Sequence, residues 1–167
     1  LGQNVNSYRF EKDGEIINLD DIFDTYQNVT KFKYIEDTGD IACWTYTGIL
    51  LYHRDTEEVE QVLNIDETQE FGYSRFSYDG TKLYYICNNV LYYYDLKSKK
   101  NTLLRSDVDY LDISSDGERL YYSSNGSLYK SNLTTGKKEL VKEGVKYFTV
   151  SSNEKFIKYS DEDLFAF

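Results

Sequence analysis

Few side chains in this sequence could carry out chemistry, and they do not form a catalytic set. His53 is the single histidine, which excludes a metal site built from several imidazoles of one chain. Ser77, Ser114 and Ser151 recur at a constant spacing, which is typical of a structural role, and the sequence contains no Gly-x-Ser-x-Gly nucleophile elbow. We therefore expect a protein that is not an enzyme and has no catalytic residues.

Two groups of carboxylates could hold a hard cation through oxygen ligands. They are Asp20, Asp21 and Asp24, and Asp161, Glu162 and Asp163. Their spacing does not match a calcium-binding loop, and the second group stands where other parts of the chain have a hairpin turn. Solvated turn residues are the favoured interpretation, so we predict neither a metal site nor a cofactor.

Arg75, Asp112 and Thr149 stand 37 residues apart and are polar but unlike one another. Facing one another across a narrow channel, they could line the mouth of a ligand site. Alternatively, the arginine and the aspartate neutralise each other, since an ion pair in such a channel satisfies both groups. Mutual neutralisation is the favoured interpretation, and under the alternative Arg75 and Asp112 are the predicted binding residues.

The 18 tyrosines suggest carbohydrate binding, because flat aromatic rings can stack on sugars. However, Tyr85, Tyr122 and Tyr159 are equivalent positions of one repeat, so we expect them in the packed core between repeats. The aromatic residues that break this register are better candidates for a binding surface, namely Trp44, Tyr93 and Tyr94, although packing is the favoured role for these as well.

One stretch, residues 20–27, has no counterpart elsewhere in the chain. Asp20 is a suitable N-cap for a short helix, and Phe23 and Tyr26 would lie on one side of that helix. The segment is either a lid over a sheet edge or a contact loop. If it is a contact loop, the predicted partner-binding residues are Asp21, Phe23 and Tyr26.

The secondary-structure elements that position these side chains belong to an internal repeat of 37 residues. The repeat runs without a gap over residues 73–167. Leu-Tyr-Tyr at 83–85 returns at 120–122, and Asp-Gly at 79–80 returns at 116–117. A repeat of this length indicates stacked supersecondary units. The strand and turn pattern of each unit is typical of a propeller blade.

Alternation of apolar and polar residues, with turn residues between, predicts four strands in the copy that begins at Tyr73. These strands are 74–77, 82–87, 90–94 and 101–105. Asn88-Asn89, and Asn125-Gly126 in the next copy, supply the positive φ that tight hairpins need. A looser copy upstream predicts strands at 41–45, 49–53 and 59–63.

The predicted fold is all-β, a single-domain β-propeller over residues 1–167 with four blades of four antiparallel strands. The approximate blade limits are 30–72, 73–109, 110–146, and 147–167 together with 6–19. The last copy lacks a fourth strand, and we predict that Glu15–Leu19 completes it, because closure removes an edge that promotes aggregation. A monomer is favoured; the alternatives are a fragment of a larger ring and two chains joined in a ring of eight blades.

Charge and hydropathy exclude two classes of partner. The formal net charge of -10 and the pI near 4.6 oppose binding to polyanions, so we do not predict nucleic acid as a partner. No apolar run approaches the roughly 20 residues that span a bilayer, so we expect no membrane insertion of this segment.

Two cysteines, Cys43 and Cys87, are too few for a disulfide framework. Buried free thiols are expected, and a bridge between the two residues is the alternative. The chain contains no methionine, so we expect a processed segment, and the sequence leaves its cellular compartment open.

The segments SYDGTKLYY at 77–85 and SSDGERLYY at 114–122 resemble the repeats of TolB-like, or WD40-like, bacterial β-propellers. That repeat carries Ser-Pro-Asp-Gly before an apolar strand. The chain also resembles tyrosine-rich bacterial propeller domains, from about Phe32 onward. It departs from the family pattern in having no proline, and Ser115 is one of the residues that stand where the family often has it.

The resemblance implies a non-catalytic scaffold that presents its faces to a protein or peptide, in an extracytoplasmic or cell-envelope setting. A lectin-like propeller that binds carbohydrate is the alternative. A propeller hydrolase or lyase would need a clustered acid, base or metal set, which the sequence does not contain.

Overall fold

The computed structural model describes residues 9–12, 14–23, 29–35, 38–66, 68–77, 79–114, 116–151, 154–155 and 157–160. These residues form sixteen strands and one short helix. They are β1 Arg9–Lys12, β2 Glu15–Asn18, α1 Leu19–Phe23, β3 Val29–Tyr34, β4 Ile41–Thr45, β5 Gly48–His53, β6 Glu58–Asn64, β7 Phe71–Phe76, β8 Lys82–Cys87, β9 Val90–Asp95, β10 Lys100–Arg105, β11 Val108–Ile113, β12 Arg119–Ser124, β13 Ser127–Asn132, β14 Lys138–Glu143, β15 Tyr147–Val150 and β16 Ile157–Ser160.

The strands form three four-stranded antiparallel sheets, which we call the first blade (β3–β6), the second blade (β7–β10) and the third blade (β11–β14). Hydrogen-bonded neighbours are consecutive in the chain, so each sheet is a meander of the kind that builds a propeller. Two two-stranded sheets, β1-β2 and β15-β16, complete the described strands. The predicted all-β fold with four-stranded antiparallel blades is confirmed.

The chain divides into two compact units. The first unit contains β1–β6 and α1, and its core includes Leu19, Phe23, Ile41, Cys43 and Leu50. The second unit contains β7–β16, and in it β11 contacts both β7 and β15, so the first strands of consecutive sheets lie side by side. The assignment of residues 1–167 to one domain, with the blade limits given above, stays a prediction.

The second strand of each blade is the most buried of its four strands. Five consecutive residues of β4 are buried, as are five of the six in β8 and in β12. The predicted strands 41–45 and 82–87 coincide with β4 and β8. The predicted strand 74–77 is displaced, since β7 begins at Phe71 and Ser77 belongs to the following turn.

The recurring serines join the first strand of a blade to the second. Ser77 Oγ donates a hydrogen bond to Asp79 Oδ1 at 2.6 Å and accepts one from the backbone N–H of Lys82 at 2.9 Å. The same two contacts recur around Ser114. In both blades the hydroxyl therefore ties the turn aspartate to the start of the second strand, which explains the 37-residue spacing of the serines.

Asp116 makes the turn of the third blade sensitive to acid. The hydroxyl of Ser114 and the backbone N–H of Glu118 donate to its carboxylate and lower the pKa of Asp116 from 3.8 to about 2. Since the pKa is depressed in the folded state, the carboxylate stabilises the fold above about pH 4, and this contribution is lost as the pH falls towards about 2.

We expect the melting temperature of the wild type to fall more steeply across this pH interval than that of an Asp116→Asn variant, which lacks the titrating group. Circular dichroism melts in steps of pH measure both slopes. Parallel slopes would show that Asp116 does not contribute to acid sensitivity.

The predicted hairpin turns are confirmed. Asn88 and Asn89 have φ values of 50° and 58°, and Asn125 and Gly126 have 49° and 68°. Positive φ at both central residues is the type I′ geometry that matches the twist of the flanking strands.

The tyrosines at equivalent repeat positions are not all buried in the core. Tyr85 and Tyr122 are buried as expected, and each stacks on a tyrosine of the third strand of its blade, Tyr122 on Tyr129 with ring centroids 5.5 Å apart. The prediction is wrong for Tyr159, which is 49% exposed. In the last copy the residue equivalent to the stacking tyrosine is Ala166, which lies outside the described residues.

Glu154 links the third blade to the following sheet. Its φ is positive, 54°, as it is for the glycines at the equivalent turn position of the second and third blades, although Glu154 carries a side chain. Its Oε2 accepts a hydrogen bond from the hydroxyl of Tyr121 at 2.7 Å and lies 3.1 Å from Arg119 Nε, an ion-pair distance. The contacts to a neighbouring blade compensate for a backbone conformation that favours glycine.

The N-terminal strands differ from the prediction in two respects. β2 pairs with β1, and the predicted pairing of Glu15–Leu19 with the last blade is not among the described strand pairs and stays a prediction. Asp20 is not the N-cap, because α1 begins at Leu19; the side chain of Asn18 donates to Asp21 Oδ2 at 2.7 Å across the first turn. No helix among the described residues is long and apolar enough to cross a membrane.

Cys43 and Cys87 are both buried free thiols, so the alternative of a disulfide bridge is wrong. Burial raises the pKa of Cys43 to about 12. A thiol in this state packs as a small apolar side chain and is a poor nucleophile.

Candidate functional site

The first strands of the sheets in the second unit present one partly open face. Residues two apart share a face of a strand, and the intervening Ser74, Leu111 and Phe148 are buried. We call the open face the inner-strand surface, and it consists of Tyr73, Arg75, Tyr110, Asp112, Tyr147 and Thr149.

The three tyrosines of this surface contact one another in sequence order. The ring centroids of Tyr73 and Tyr110 are 4.2 Å apart and those of Tyr110 and Tyr147 are 6.2 Å apart, both in edge-to-face arrangements. Together with Phe148, Thr149, Lys158, Tyr159 and Ser160 they line a cavity of about 270 Å³. Because most of this lining is apolar, the cavity suits a compact apolar or aromatic group.

An ion pair lies beside the tyrosines. Arg75 Nε is 3.2 Å from Asp112 Oδ1, and Arg75 Nη1 donates to the carbonyl oxygen of Ser74 at 2.9 Å. Asp112 also accepts the backbone N–H of Ile113 at 3.0 Å. The structure thus brings the two predicted residues together with their charges opposed, as the neutralisation alternative requires, and their role in binding stays a prediction.

Tyr110 stands between the ion pair and the cavity. Burial raises the pKa of Tyr110, with Asp112 and Tyr73 acting in the same direction and Arg75 opposing them. Its hydroxyl is therefore protonated at neutral pH and can donate a hydrogen bond to a ligand.

Tyr93 and Tyr94 lie on β9 and are partly exposed. Tyr93 packs 6.0 Å from Tyr84 between ring centroids, and Lys82 Nζ lies 5.5 Å from its ring. Tyr93 lines a second cavity, of about 350 Å³, between the second and third blades. The structure therefore separates these two predicted residues from the inner-strand surface.

The predicted site residues of the first unit are mainly core residues. Trp44 is 7% exposed with Lys31 Nζ 5.0 Å from its ring, and Phe23 is 3% exposed and packs on Phe32 at 5.6 Å. Burial favours the packing role of both aromatic side chains. Asp21 is exposed on α1, and Tyr26 lies outside the described residues.

His53 lies between two carboxylates in the first unit. Its Nδ1 is 3.3 Å from Asp40 Oδ2 and its Nε2 is 3.3 Å from Glu60 Oε2. Opposite ring nitrogens cannot bind one ion, so the trio is not arranged to chelate a metal ion. Among the described residues, no group of three or more His, Cys, Asp or Glu side chains is placed to hold a metal ion.

Tyr73, Tyr110 and Tyr147 stand 37 residues apart, and the sequence analysis did not predict them as site residues. The signal was available, because each lies two residues before a member of the trio Arg75, Asp112 and Thr149 and so shares its strand face.

No protein-family model and no curated protein sequence matches the chain. Solved structures do match it. An oligogalacturonate lyase in complex with manganese superposes with a TM-score of 0.62 at 16% identity, over 87% of this chain and 47% of the lyase. Two further matches follow the same pattern of partial coverage.

One is a chain of an S. cerevisiae assembly of Dbp5 bound to Nup159 and Gle1, with a TM-score of 0.54 at 15% identity, over 70% of this chain and 30% of the other. The other is the extracellular domain of a putative one-component system from B. thetaiotaomicron, with a TM-score of 0.55 at 11% identity, over 78% and 19%. The fold is a β-propeller. The propeller chain spans less than half the length of these three matches, and identities of 11–16% show the fold alone.

Proposed function

We propose that this propeller is a non-catalytic scaffold that binds a protein or peptide at the inner-strand surface, in an extracytoplasmic or cell-envelope setting. The observation that carries the proposal is the aromatic cavity beside the Arg75–Asp112 pair. An apolar pocket with a few converging polar groups is the usual form of a recognition site.

The cavity supports a protein anchor because of its size and lining. A volume of about 270 Å³ accommodates one large apolar side chain. Aromatic anchors in such pockets commonly supply most of the binding energy at protein interfaces. The tyrosine rings already contact one another, so binding requires little ordering of Tyr73, Tyr110 and Tyr147.

Arg75 would orient the partner. A guanidinium carries five N–H donors, more than its contacts to Asp112, Ser74 and Tyr110 use. The remaining donors suit backbone carbonyls of an extended segment. Asp112 holds the guanidinium in place, which lowers the entropy cost of that recognition.

The described residues of the lining include no histidine and no carboxylate, which favours a binding role over a catalytic one. Histidine and carboxylates are the side chains that most often act as general acid or base within hydrogen-bond reach of the reacting atom. The lyase and the yeast assembly show that similar folds serve in enzymes and in protein complexes, and the extracellular domain that matches is in keeping with the proposed setting.

A carbohydrate-binding propeller is the second candidate. Tyr73 and Tyr147 are only partly buried and present aromatic rings to the cavity, while Thr149, Lys158 and Ser160 supply hydrogen-bonding groups at its rim. The mainly apolar lining favours a protein side chain over a polyhydroxylated ring.

Selection from a phage-displayed random peptide library tests the proposal. We expect enrichment of peptides with an aromatic or large aliphatic residue, and at least a tenfold loss of affinity in Tyr147→Ala and Thr149→Arg, which remove a wall of the cavity or fill it. Tyr46→Ala is the matched control, because Tyr46 is 72% exposed in the first unit, and its affinity should not change.

Failure to enrich any peptide, or affinity that is insensitive to both cavity variants, would refute the protein-binding proposal. A glycan array probed with the same four proteins addresses the second candidate. Carbohydrate binding that Tyr147→Ala removes would establish it instead.

A further inference from the structure

The outer strand of the third blade is open to pairing. β14 has the sequence KELVKE, and all six of its residues are exposed. It pairs with β13 on one side and with no other described strand. Its centre is apolar, with Leu140 53% and Val141 40% exposed. An exposed edge strand with an apolar centre is a template for another strand.

The charges of β14 are self-complementary. When two copies of β14 run antiparallel about the point between Leu140 and Val141, each lysine faces a glutamate. Lys138 then lies opposite Glu143, and Glu139 lies opposite Lys142, while the two apolar residues face each other. Opposite charges directly across an antiparallel pair stabilise it.

A bulge at Val141 makes this alignment geometrically consistent. In the pairing with β13, Lys138 lies opposite Ser131 and Glu143 lies opposite Ser127. Since Ser127 and Ser131 share a face, Lys138 and Glu143 share one too, although regular alternation would place them on opposite faces. Residues that meet across an antiparallel pair lie on the same face, so the bulge allows the Lys–Glu contact.

The second pair of charges meets on the other face. Glu139 and Lys142 lie opposite Lys130 and Leu128, which share the second face of β13. Glu139 already forms ion pairs with Lys130 at 3.2 Å and with Lys137 at 3.1 Å, and Lys142 Nζ lies 5.2 Å from the ring of Tyr159. Both side chains thus have contacts within this chain as well as the proposed partner across the twofold axis.

We propose that β14 pairs antiparallel with β14 of a second copy of this chain and joins two third blades across a twofold axis. Self-complementarity is what a twofold interface requires, because the same patch serves on both sides. This edge-to-edge contact is different from a ring of eight blades. The pairing does not depend on the inner-strand surface or on its proposed function.

The outer strand of the second blade provides an internal comparison. In β10 the same alignment places Lys100 opposite Arg105 and Asn101 opposite Leu104, so like charges meet and an amide faces an apolar side chain. Two blades with equivalent edges thus differ in self-complementarity, which assigns the contact to β14.

The expected dimer is weak. A pair of six-residue strands buries less than the roughly 1,200 Å² of a stable interface. A dissociation constant on the order of 10–100 µM corresponds to such a contact. Sedimentation velocity at protein concentrations from about 5 to 500 µM covers that range of dissociation constants. An ionic strength of about 0.15 M largely screens the long-range charge repulsion between two chains.

A charge swap tests the proposal. Two double variants each place like charges opposite one another in the strand pair, and each alone should be monomeric at every concentration. They are Lys138→Glu/Lys142→Glu and Glu139→Lys/Glu143→Lys. An equimolar mixture restores Lys opposite Glu at all four positions and should form a heterodimer. Lys97→Glu/Lys100→Glu changes the net charge by the same amount as the first variant, at exposed residues of the second blade, and should dimerise like the wild type.

A disulfide test does not depend on the folding of the charge variants. Val141→Cys should form a cross-linked dimer under mild oxidation, and Leu104→Cys, at the equivalent position of β10, should not. A wild type that is monomeric up to 500 µM, a dimer that survives in the single charge variants, or equal cross-linking of the two cysteine variants would overturn the proposal.

Discussion

A Gly48→Ala variant is expected to lose more than about 4 kcal/mol of unfolding free energy, which is enough to unfold the first blade. Gly48 begins β5 with a φ of 148°, and a Cβ built there would lie 1.8 Å from the backbone oxygen of Leu63. Because the obstacle is the main chain of β6, no side-chain rotation relieves the contact. The pairing of Gly48 with Asn64 must break to make room.

Gly126→Ala is the matched control for this prediction. Gly126 also has a positive φ, of 68°, but a Cβ there would meet nothing within 4 Å. Its cost is confined to the left-handed conformation, about 1 kcal/mol. Trp44 is the only tryptophan and lies buried in β4, so its fluorescence during urea unfolding reports on the blade that contains Gly48. Equal losses in the two variants would show that the contact with Leu63 is not limiting.

Gly48 also shows where sequence reasoning reaches its limit. The turns at Asn88-Asn89 and Asn125-Gly126 could be predicted, because residues that tolerate positive φ separate two apolar strands. The turn before Gly48 lies in the upstream copy, which does not keep the 37-residue spacing. Gly48 is required because the backbone of β6, a strand outside this turn, passes close to it. The local sequence around the turn does not encode the distance between Gly48 and β6.

The candidate site was predictable where the repeat fixes the geometry. The Arg75–Asp112 pair follows from the 37-residue shift, since equivalent residues of neighbouring first strands must meet. Trp44 and Phe23 are different, because their exposure depends on side chains from other strands, such as Lys31 and Phe32. A residue that breaks the repeat pattern differs in type from its counterparts in the other copies. That difference does not determine whether neighbouring side chains bury it.

Register also separates residues that look alike in sequence. Tyr122 and Tyr159 occupy equivalent positions, and one is buried while the other is exposed. Tyr122 stacks on Tyr129, whereas the equivalent of Tyr129 in the last copy is Ala166, outside the described residues. The packing of a repeat position therefore has to be inferred from pairs of positions. Tyr73, Tyr110 and Tyr147 form their cavity for the same reason, since all three copies retain the ring.

The second large effect is expected at Leu111, which connects core packing to the inner-strand surface. Leu111 is 0% exposed in β11 and belongs to a cluster with Tyr84, Leu91, Leu120 and other side chains of the second and third blades. Truncation of a fully buried leucine removes its transfer free energy and leaves a cavity, for a typical loss of 2–5 kcal/mol. We therefore expect Leu111→Ala to lower the unfolding free energy by about this amount.

Leu111 lies between Tyr110 and Asp112 on the opposite face of β11, so its packing fixes the strand that carries both site residues. Leu111→Ala should therefore weaken binding of any selected peptide in addition to lowering stability. Leu103→Ala is the control, because Leu103 is 60% exposed. This variant should change the unfolding free energy by less than about 0.5 kcal/mol and leave peptide binding intact. Urea unfolding followed by circular dichroism, with peptide titration below the transition, measures both quantities. A Leu111→Ala protein that loses stability yet binds as the wild type does would show that the surface does not depend on this packing.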